Sequence, residues 1–459
     1  MIKIHNSFTK QKQEFIPLEP GKIKLYVCGI TVYDYCHIGH ARTTLAFDMM
    51  VRYWQYRGFD VTYVRNITDI DDKIIKRAAE NQQTCEQLTE HFIAAMHEDF
   101  DALGIARPHH EPRATAHIPS IINMIARLID NQHAYIADNG DVYFAVNQYK
   151  AYGQLSHQNL TALQSGVRVE VGESKRDPLD FVLWKKAKPG EPSWPSPFGV
   201  GRPGWHIECS AMSTECLGDT FDVHGGGHDL LFPHHENERA QAEGCTGKPF
   251  VNYWLHVGFV QVDDEKMSKS LGNFFTIRDI LKTIDAESLR YFLLASHYRS
   301  PINFSDVALK QARASLTTLY TALRDVTPSM ALQNTEYHTA FSAAMDDDFN
   351  TPLAISVLFT LANEVNRLAK TDFVRARQLS RTLKELGDVL GLLQQDARAF
   401  FQGDTKDSTA IALIEQLIAE RNKARQEKNW VVADSCRDKL LAMGVILEDS
   451  AEGTSWRRE

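Results

Sequence analysis

The sequence predicts an α/β protein in which a parallel-sheet domain, split by an insertion, precedes an α-helical bundle and a small C-terminal unit. Three observations predict this class. A strand, a helix and a second strand follow one another within the first 70 residues. From about residue 278 to 395, Leu, Ala and Arg recur at helical spacing. The length of 459 residues suits about three domains of ordinary size.

The first unit is a strand, a helix and a strand. Residues 22–28 form an apolar run that ends at Gly29, which is typical of a buried strand. Residues 40–57 carry large apolar side chains at helical spacing, and 61–64 form the second strand. Such a unit implies a parallel sheet, and ligands bind at the carboxyl ends of parallel strands. Cys28 lies at one of those ends.

The remaining elements follow from composition. Residues 75–135 are predicted to be helical, and 135–195 to be mixed. Residues 203–265 return to short strands, glycine turns and one helix start, which predicts the second half of the split sheet. Residues 400–408 predict a linker, and the last fifty residues a separate unit.

The overall composition is that of an ordinary globular protein, 43% hydrophobic and 24% charged. No apolar stretch approaches the roughly 18 to 20 residues of a membrane span, and the N-terminus lacks a signal core, so we expect a cytoplasmic protein. Seven scattered cysteines predict reduced thiols rather than a disulfide framework. The net charge of -9 argues against indiscriminate coating of nucleic acid, but it allows an RNA partner held by local basic faces.

The first chemical signal is His37-Ile38-Gly39-His40, directly after the first strand. Backbone N–H groups at a helix start point toward incoming anions, and two imidazoles add donors. Gly39 lets a base or a phosphate approach the backbone closely. Taken alone, the motif is equally compatible with two surface histidines at a helix start.

The second signal is Lys266-Met267-Ser268-Lys269-Ser270, a cationic loop suited to a triphosphate. An isolated pair of lysines is more often a solvated basic turn. Both motifs in this order, however, resemble the signature pair of class I aminoacyl-tRNA synthetases. That resemblance implies that His37 and His40 stabilise the phosphate in the transition state, and that Lys269 with Lys266 holds the departing pyrophosphate.

The third signal concerns a metal. Pro233 suits the first turn of a helix, which would place His234 and Glu238 on one face, one turn apart. An imidazole and a carboxylate so placed can share a zinc ion, and Cys209 and Cys28 can complete four ligands. The alternatives are an ordinary helix pair for His234 and Glu238, and apolar packing for the two cysteines. Three further histidines compete as ligands, and spacing alone does not separate them: His224, His228 and His235. A zinc protease is disfavoured, because 235–239 lacks the second histidine of that motif.

Five runs make the resemblance closer. They are CGITVYD at 28–34, NITDIDDK at 66–73, GWHIEC at 204–209, the run from GGGHD at 225 to Glu238, and GTSWR at 453–457. Together they resemble the cysteinyl-tRNA synthetase family along essentially the whole chain. The resemblance implies a Rossmann-like catalytic domain, ligation of L-cysteine to tRNA(Cys) through an adenylate, and one zinc ion on Cys28, Cys209, His234 and Glu238.

The resemblance also implies the remaining substrate contacts. Thr31, Thr68 and Trp205 are assigned to the amino-acid pocket, and core packing is the alternative role of Trp205. ATP, which binds with Mg²⁺, is assigned to Gly39, to Lys269 and to a group of four residues at 225–229. That group is Gly225, Gly226, Gly227 and Asp229.

The C-terminal unit carries the predicted RNA contacts. Arg425 lies on a predicted basic helix, and Trp430 follows it; such residues stack on unpaired bases. Asp434 is placed to read a base edge. Composition alone favours a solvated charged helix, whereas the resemblance implies anticodon recognition.

The predicted boundaries are 1–115 for the first half of the catalytic domain, 116–200 for a connective insertion and 201–265 for the second half with the zinc site. A stem-contact region with the lysine loop follows at 266–310, then a helical bundle at 311–400 and an anticodon-binding domain at 405–459. We expect a monomer. Two alternatives stay open: a ligase that joins cysteine to a small amine or sugar, and a non-catalytic zinc- and RNA-binding relative.

Overall fold

The strands and helices below come from a computed structural model. It describes residues 1–158, 174–262, 275–324, 326–329, 332, 334–402, 408–450 and 453–458, with the backbone of 265–266. The described strands are β1 Lys3–Asn6, β2 Gln11–Glu14, β3 Lys22–Thr31, β4 Asp60–Thr68, β5 Ala134–Ile136, β6 Val142–Phe144, β7 Phe181–Lys186, β8 Gly201–Pro203, β9 Phe221–Gly227, β10 Val251–Val257, β11 Val260–Val262, β12 Glu265–Lys266, β13 Ile302–Phe304, β14 Val445–Ser450 and β15 Gly453–Arg458.

Helices make up most of the second half of the chain. The described α-helices are α1 Ile38–Tyr56, α2 Asp72–Glu80, α3 Cys85–Ala102, α4 Ile118–Asp130, α5 Trp205–Leu217, α6 Glu236–Thr246, α7 Ile277–Ile280, α8 Ala286–Leu294, α9 Asp306–Arg324, α10 Glu336–Asp346, α11 Thr351–Leu368, α12 Phe373–Val389, α13 Ala397–Gln402, α14 Ser408–Gln426 and α15 Trp430–Ala442. No helix among these described residues is both long and apolar enough to cross a membrane.

The central sheet has the order β10-β9-β3-β4, and its strands run parallel. The predicted βαβ unit is therefore confirmed, with β3 and β4 each extending several residues beyond the predicted runs. β9 belongs to the second half of the split domain, yet it pairs directly with β3 of the first half. This pairing brings residues about 200 positions apart to the same edge of the sheet.

α1 begins where the sequence predicts it and buries an apolar face. Its buried side chains include Leu45, Met49 and Trp54, which occupy the predicted helical spacing. The chain leaves the helix at Gly58, whose φ of +86° is a conformation that glycine adopts without strain. α1 thus begins after the carboxyl end of β3 and returns along the sheet to the turn at Gly58, which precedes β4.

The insertion forms a separate layer of structure within the split domain. Its strands make an antiparallel sheet of order β5-β6-β7-β8. Trp184 of that sheet is fully buried in a core with Ile125 of α4 and Ile207 of α5. In the described part of 135–195, which omits 159–173, the predicted mixed pattern includes three strands of this antiparallel sheet, and the sheet packs on helices of the same unit.

The structure differs from the sequence prediction in two places in this unit. Residues 105–113 are extended rather than helical, because they run along the open edge of β4, where the carbonyl of Pro112 accepts from the N–H of Ile67 at 2.9 Å. Prolines at 108 and 112 also oppose a helix there. The second half of the split domain contains two helices, α5 and α6, rather than one helix start. Regular helix begins at Glu236, and the chain before it is kinked at Phe232, whose φ of -141° and ψ of 133° are extended.

The chain divides into two units. One comprises Met1–Ala312 with Thr339–Ile355, and the other Arg313–His338 with Ser356–Glu459. In the second unit, the hairpin of β14 and β15 covers α14 and α15 through Ile414, Leu440 and Trp456. Of the predicted linker 400–408, α13 reaches Gln402, and 403–407 lie outside the described residues. The domain boundaries proposed from the sequence stay predictions.

Candidate active site and metal centre

A cavity of about 410 Å³ opens beside the carboxyl end of β3 and the first turn of α1. Its walls bring together eight of the residues singled out in the sequence. Those residues are Cys28, Thr31, His37, Gly39, His40, Trp205, Gly227 and Asp229. The position is the one that parallel sheets use for ligands.

His37 and His40 form a reciprocal cap at the start of α1. Nδ1 of His37 accepts from the N–H groups of Gly39 at 3.1 Å and of His40 at 3.4 Å. Nδ1 of His40 accepts in turn from the N–H of His37, and the two rings stack with centroids 3.6 Å apart. The cap fixes both imidazoles at a helix N-terminus, which favours an anion.

The lysine motif is only partly described. The backbone of Lys266 pairs with Gln261 of β11, next to Val260 in the cavity wall. Lys269 lies outside the described residues. On the other side of this motif, the N–H of Ile38 donates to the carbonyl of Phe275 at 3.1 Å. The chain at the start of the motif therefore contacts β11, and the chain after it contacts α1; both of these elements line the cavity.

A buried group of potential metal ligands lies at the end of β3. Within the part of the chain that the structure describes, two sets of four residues have their ligand atoms within 4.8 Å of one another. These sets are Cys28, Cys209, His234, Glu238 and Cys28, His224, His235, Glu238. The first is the set that the sequence predicts, and the second contains two of the competing histidines. His228 belongs to neither.

The geometry within the group is tight. Nε2 of His234 is 2.9 Å from Oε1 of Glu238, so this pair does share one face across one turn. Sγ of Cys28 is 3.1 Å from the same oxygen and 3.5 Å from Nε2 of His234. Nε2 of His224 lies 3.4 Å from Sγ of Cys28 on another side.

Burial of the group disfavours negative charge unless a cation compensates it. Burial raises the pKa of the Glu238 carboxyl and of the Cys28 thiol well above their ordinary values. The hydrogen bond from Cys28 lowers the pKa of the Cys209 thiol to about 7. Among the described residues, Oε2 of Glu238 is buried without a hydrogen-bond partner. Once deprotonated, two thiols, an imidazole and a carboxyl group are donors that zinc accepts, so these residues fit a metal ion.

His206 orients the imidazole of His234 and was not singled out in the sequence. Its Nδ1 lies 2.8 Å from Nδ1 of His234, which leaves Nε2 of His234 toward the ligand group. The neighbouring Trp205 lies 4.2 Å from the His234 ring, measured between centroids, and is 39% exposed. Trp205 therefore walls the cavity instead of filling the core.

Three other residues that the sequence assigns to substrate binding do not line the cavity: Gly225, Gly226 and Thr68. A Cβ at Gly225 would lie 2.1 Å from the ring of Phe47, and one at Gly226 would lie 2.9 Å from Leu230. Gly225 therefore lets β9 pack closely on α1, and Gly226 leaves room for Leu230, whereas Gly227 reaches the cavity. Thr68 is buried at the end of β4, where its Oγ1 accepts from Nδ2 of Asn66 at 3.3 Å.

The predicted RNA contacts lie in the second unit. Trp430 begins α15 and is 60% exposed, a large apolar side chain left open to solvent. Arg425 forms an ion pair with Asp449 at 2.7 Å. Asp434 is exposed and lies 3.8 Å from Arg437. Of the two side chains predicted to stack on bases, Trp430 is thus more exposed than Arg425, which is 42% exposed.

Comparison with known proteins first establishes the class. The sequence matches the family of tRNA synthetases class I (C) catalytic domain over residues 14–314. The fold resembles a leucyl enzyme, the LeuRS of Agrobacterium radiobacter in complex with tRNA and LeuAMS, with a TM-score of 0.60 and 12% identity over 84% of this chain and 87% of that chain. Methionyl-tRNA synthetase of Mycobacterium tuberculosis gives a TM-score of 0.57 with 16% identity over 86% and 94%. The fold is that of a class I aminoacyl-tRNA synthetase.

The rest of the chain matches two more families: the DALR domain over 340–394 and the cysteinyl-tRNA ligase anticodon binding domain over 412–457. Cysteine–tRNA ligase of Shewanella pealeana is 59% identical over 100% of both chains. That of Shewanella loihica is 60% identical, again over 100% of both. The chain belongs to the cysteine–tRNA ligase family.

Proposed function

We propose that this chain ligates L-cysteine to tRNA(Cys), with ATP as the source of the activating group. The observation that carries the proposal is a single cavity lined by both Cys28 of the ligand group and the paired imidazoles of His37 and His40. An amino acid held near Cys28 would thus share one cavity with a phosphate at the start of α1. The full-length similarity to cysteine–tRNA ligases supports the same substrates.

In the first step, a carboxylate oxygen of cysteine attacks the α-phosphorus of ATP. The bond to the β-phosphate oxygen breaks, which gives cysteinyl-adenylate and pyrophosphate. His37 and His40 donate to the α-phosphate oxygens as negative charge builds up on them, with the backbone of Gly39 close by. Lys266 and Lys269 neutralise the departing pyrophosphate, together with the Mg²⁺ that accompanies ATP.

In the second step, a hydroxyl of the terminal tRNA ribose attacks the carbonyl carbon of the adenylate, and AMP leaves. Asp229 and Gly227 line the cavity beside α1 and bind the adenosine part during both steps. Trp205 and Thr31 enclose the amino-acid part, and Thr68 supports them from β4.

Zinc is proposed on Cys28, Cys209, His234 and Glu238. This set is favoured over the set with His224 and His235 because His234 is in contact with Trp205, a wall of the cavity. His224 instead stacks on the buried Trp254. A bound zinc ion takes a thiolate as ligand far more readily than a hydroxyl, so it distinguishes cysteine from serine.

The second unit is proposed to bind the anticodon region. The match of 412–457 to an anticodon binding domain supports this, as does the exposed Trp430. Arg425 and Asp434 are secondary candidates for contacts to the RNA. The domain boundaries given above, a monomeric state and a cytoplasmic location belong to the same proposal. The matches to 340–394 and 412–457 do not favour a ligase for a small acceptor or a non-catalytic relative.

The test uses the full chain in two reactions, cysteine-dependent exchange of pyrophosphate into ATP and charging of tRNA(Cys) with radiolabelled cysteine. We expect both activities, loss of both on zinc chelation, and no charging with serine. Exchange without charging would indicate a small acceptor instead of tRNA. Absence of both reactions from zinc-loaded protein would refute catalysis.

A further inference from the structure

The rim of the active-site cavity carries two aromatic rings, each faced by a cation. Tyr33 and Tyr35 follow β3, line the cavity and are partly exposed. Nζ of Lys73 lies 5.5 Å from the ring centroid of Tyr33, and Lys73 also lines the cavity. Cζ of Arg278 lies 4.1 Å from the centroid of Tyr35. None of these four residues has a role in adenylate formation as described above.

The two cations differ in how firmly they are held. The guanidinium of Arg278 is fixed by Asp99 at 3.1 Å and by the carbonyl of Ala95 at 3.2 Å. It can therefore serve as a rigid backing for one face of the Tyr35 ring. Lys73 is exposed at the start of α2, so its ammonium group remains accessible to an incoming anion.

The acidic neighbours of Lys73 are engaged elsewhere. Asp71 caps α2 by accepting from the N–H of Lys73 at 2.8 Å. Asp72 pairs with Lys185 at 2.6 Å and with Arg202. Asp34, in the same cavity wall, accepts from the N–H of Tyr35 at 2.9 Å. Two cations thus compensate the charge of Asp72, and Asp71 and Asp34 are each held by a backbone N–H group.

Aromatic rings next to accessible cations suit an unpaired nucleotide, because the base stacks on the ring and the phosphate pairs with the cation. We propose that Tyr33 and Lys73, with Tyr35 backed by Arg278, bind the unpaired 3′ end of tRNA at the cavity mouth. This inference rests on the proposed function. It assigns these side chains to the transfer step and not to cysteine activation.

The test compares the two half-reactions in the full-length enzyme. Lys73→Met removes the ammonium group, and Lys76→Met on the same helix is the matched control, since Lys76 is exposed and does not line the cavity. We expect Lys73→Met to keep pyrophosphate exchange within about 2-fold of wild type. Its kcat/KM for tRNA(Cys) in charging should fall about 10-fold, a typical effect of losing one nucleotide contact. Lys73→Arg should restore most of that loss, and the control should leave both reactions unchanged.

A second measurement localises the contact. Tyr33→Leu should lower charging about 10-fold, whereas Tyr33→Phe keeps the ring and should behave like wild type. Wild type should bind a tRNA(Cys) transcript that lacks its unpaired 3′ nucleotides more weakly than the intact transcript. Lys73→Met should bind the two transcripts alike.

The outcomes separate this inference from the proposed function. Equal loss of exchange and charging in Lys73→Met would overturn the inference by assigning Lys73 to activation, and unchanged charging would overturn it directly. Wild-type enzyme without pyrophosphate exchange would instead refute the proposed function.

Discussion

The paired imidazoles of His37 and His40 and the ligand group around Cys28 adjoin the same cavity, but they are built differently. The first comes from four consecutive residues, whose backbone and side chains cap one helix. The second requires β3, α5 and α6, and it joins Cys28 to Glu238 across 210 positions. The first pair is partly exposed, whereas the ligand group is fully buried. A cap built from neighbouring residues can keep its structure when one residue changes, whereas a buried group of metal donors depends on all its members.

The largest effect is expected from Glu238→Gln. The amide is a poor ligand, so zinc content should fall below one per chain, and kcat/KM for cysteine in pyrophosphate exchange should fall at least about 100-fold. Added zinc should not restore the activity. Glu243→Gln is the control, since that carboxylate lies on the same helix and pairs with Arg239. Full zinc content in Glu238→Gln would exclude the carboxylate as a ligand.

His40→Gln tests the local end of the cavity. Glutamine at this position keeps the reciprocal cap of α1, so the free energy of unfolding should change by less than about 0.5 kcal/mol. The imidazole donor is lost, and adenylate formation should slow about 100-fold in single-turnover measurements. Zinc content should stay at one per chain. A parallel loss of zinc would show that the two ends of the cavity are not independent.

His206→Leu tests how the ligand group is supported. Without its partner at 2.8 Å, His234 loses its orientation, and zinc affinity should fall about 10- to 100-fold. Exchange activity should return at high zinc concentration, in contrast to Glu238→Gln. In His206→Gln, the glutamine Oε1 can still accept from the Nδ1–H of His234, so this variant should lie between the leucine variant and wild type. An unchanged zinc dissociation constant in His206→Leu would show that His206 does not support the ligand group.

The smallest effect is expected from an ion pair away from both ends of the cavity. Burial alone would raise the pKa of Glu111, but hydrogen bonds with His97 at 2.9 Å and Arg65 at 2.6 Å bring it down to about 2. Since the ordinary value is 4.5, the stabilisation is complete above that pH and is lost as the pH falls through about 2.

Glu111→Gln should therefore lower the free energy of unfolding at pH 7 by about 1 to 3 kcal/mol. The difference from wild type should shrink between pH 4.5 and 2 in acid-unfolding curves followed by circular dichroism. Pyrophosphate exchange at pH 7 should be unchanged. A difference that grew on acidification would contradict the sign of the pKa shift.

Some features of the fold and of the active site could be predicted from short stretches of sequence. The βαβ unit and the start of α1 at the histidine motif depend on local periodicity and on a cap within four residues, so they could be predicted. The meeting of His234 with Glu238 also follows from one helical turn. In contrast, the sequence shows Pro108 and Pro112, but it does not show that the segment 105–113 pairs with the edge of β4.

The class of fold, the family and the candidate metal donors could be predicted from the sequence, because they rest on residue identity and near-neighbour spacing. Which of those donors meet depends on the folded chain. It joined Cys28 to Glu238 through the pairing of β3 with β9, and it left two overlapping sets of ligands. It also used Gly225 and Gly226 for close packing and placed Lys73 beside Tyr33. Contacts between distant segments depend on how the sheet and helix layers pack, and the spacing of residues along the chain does not specify that packing.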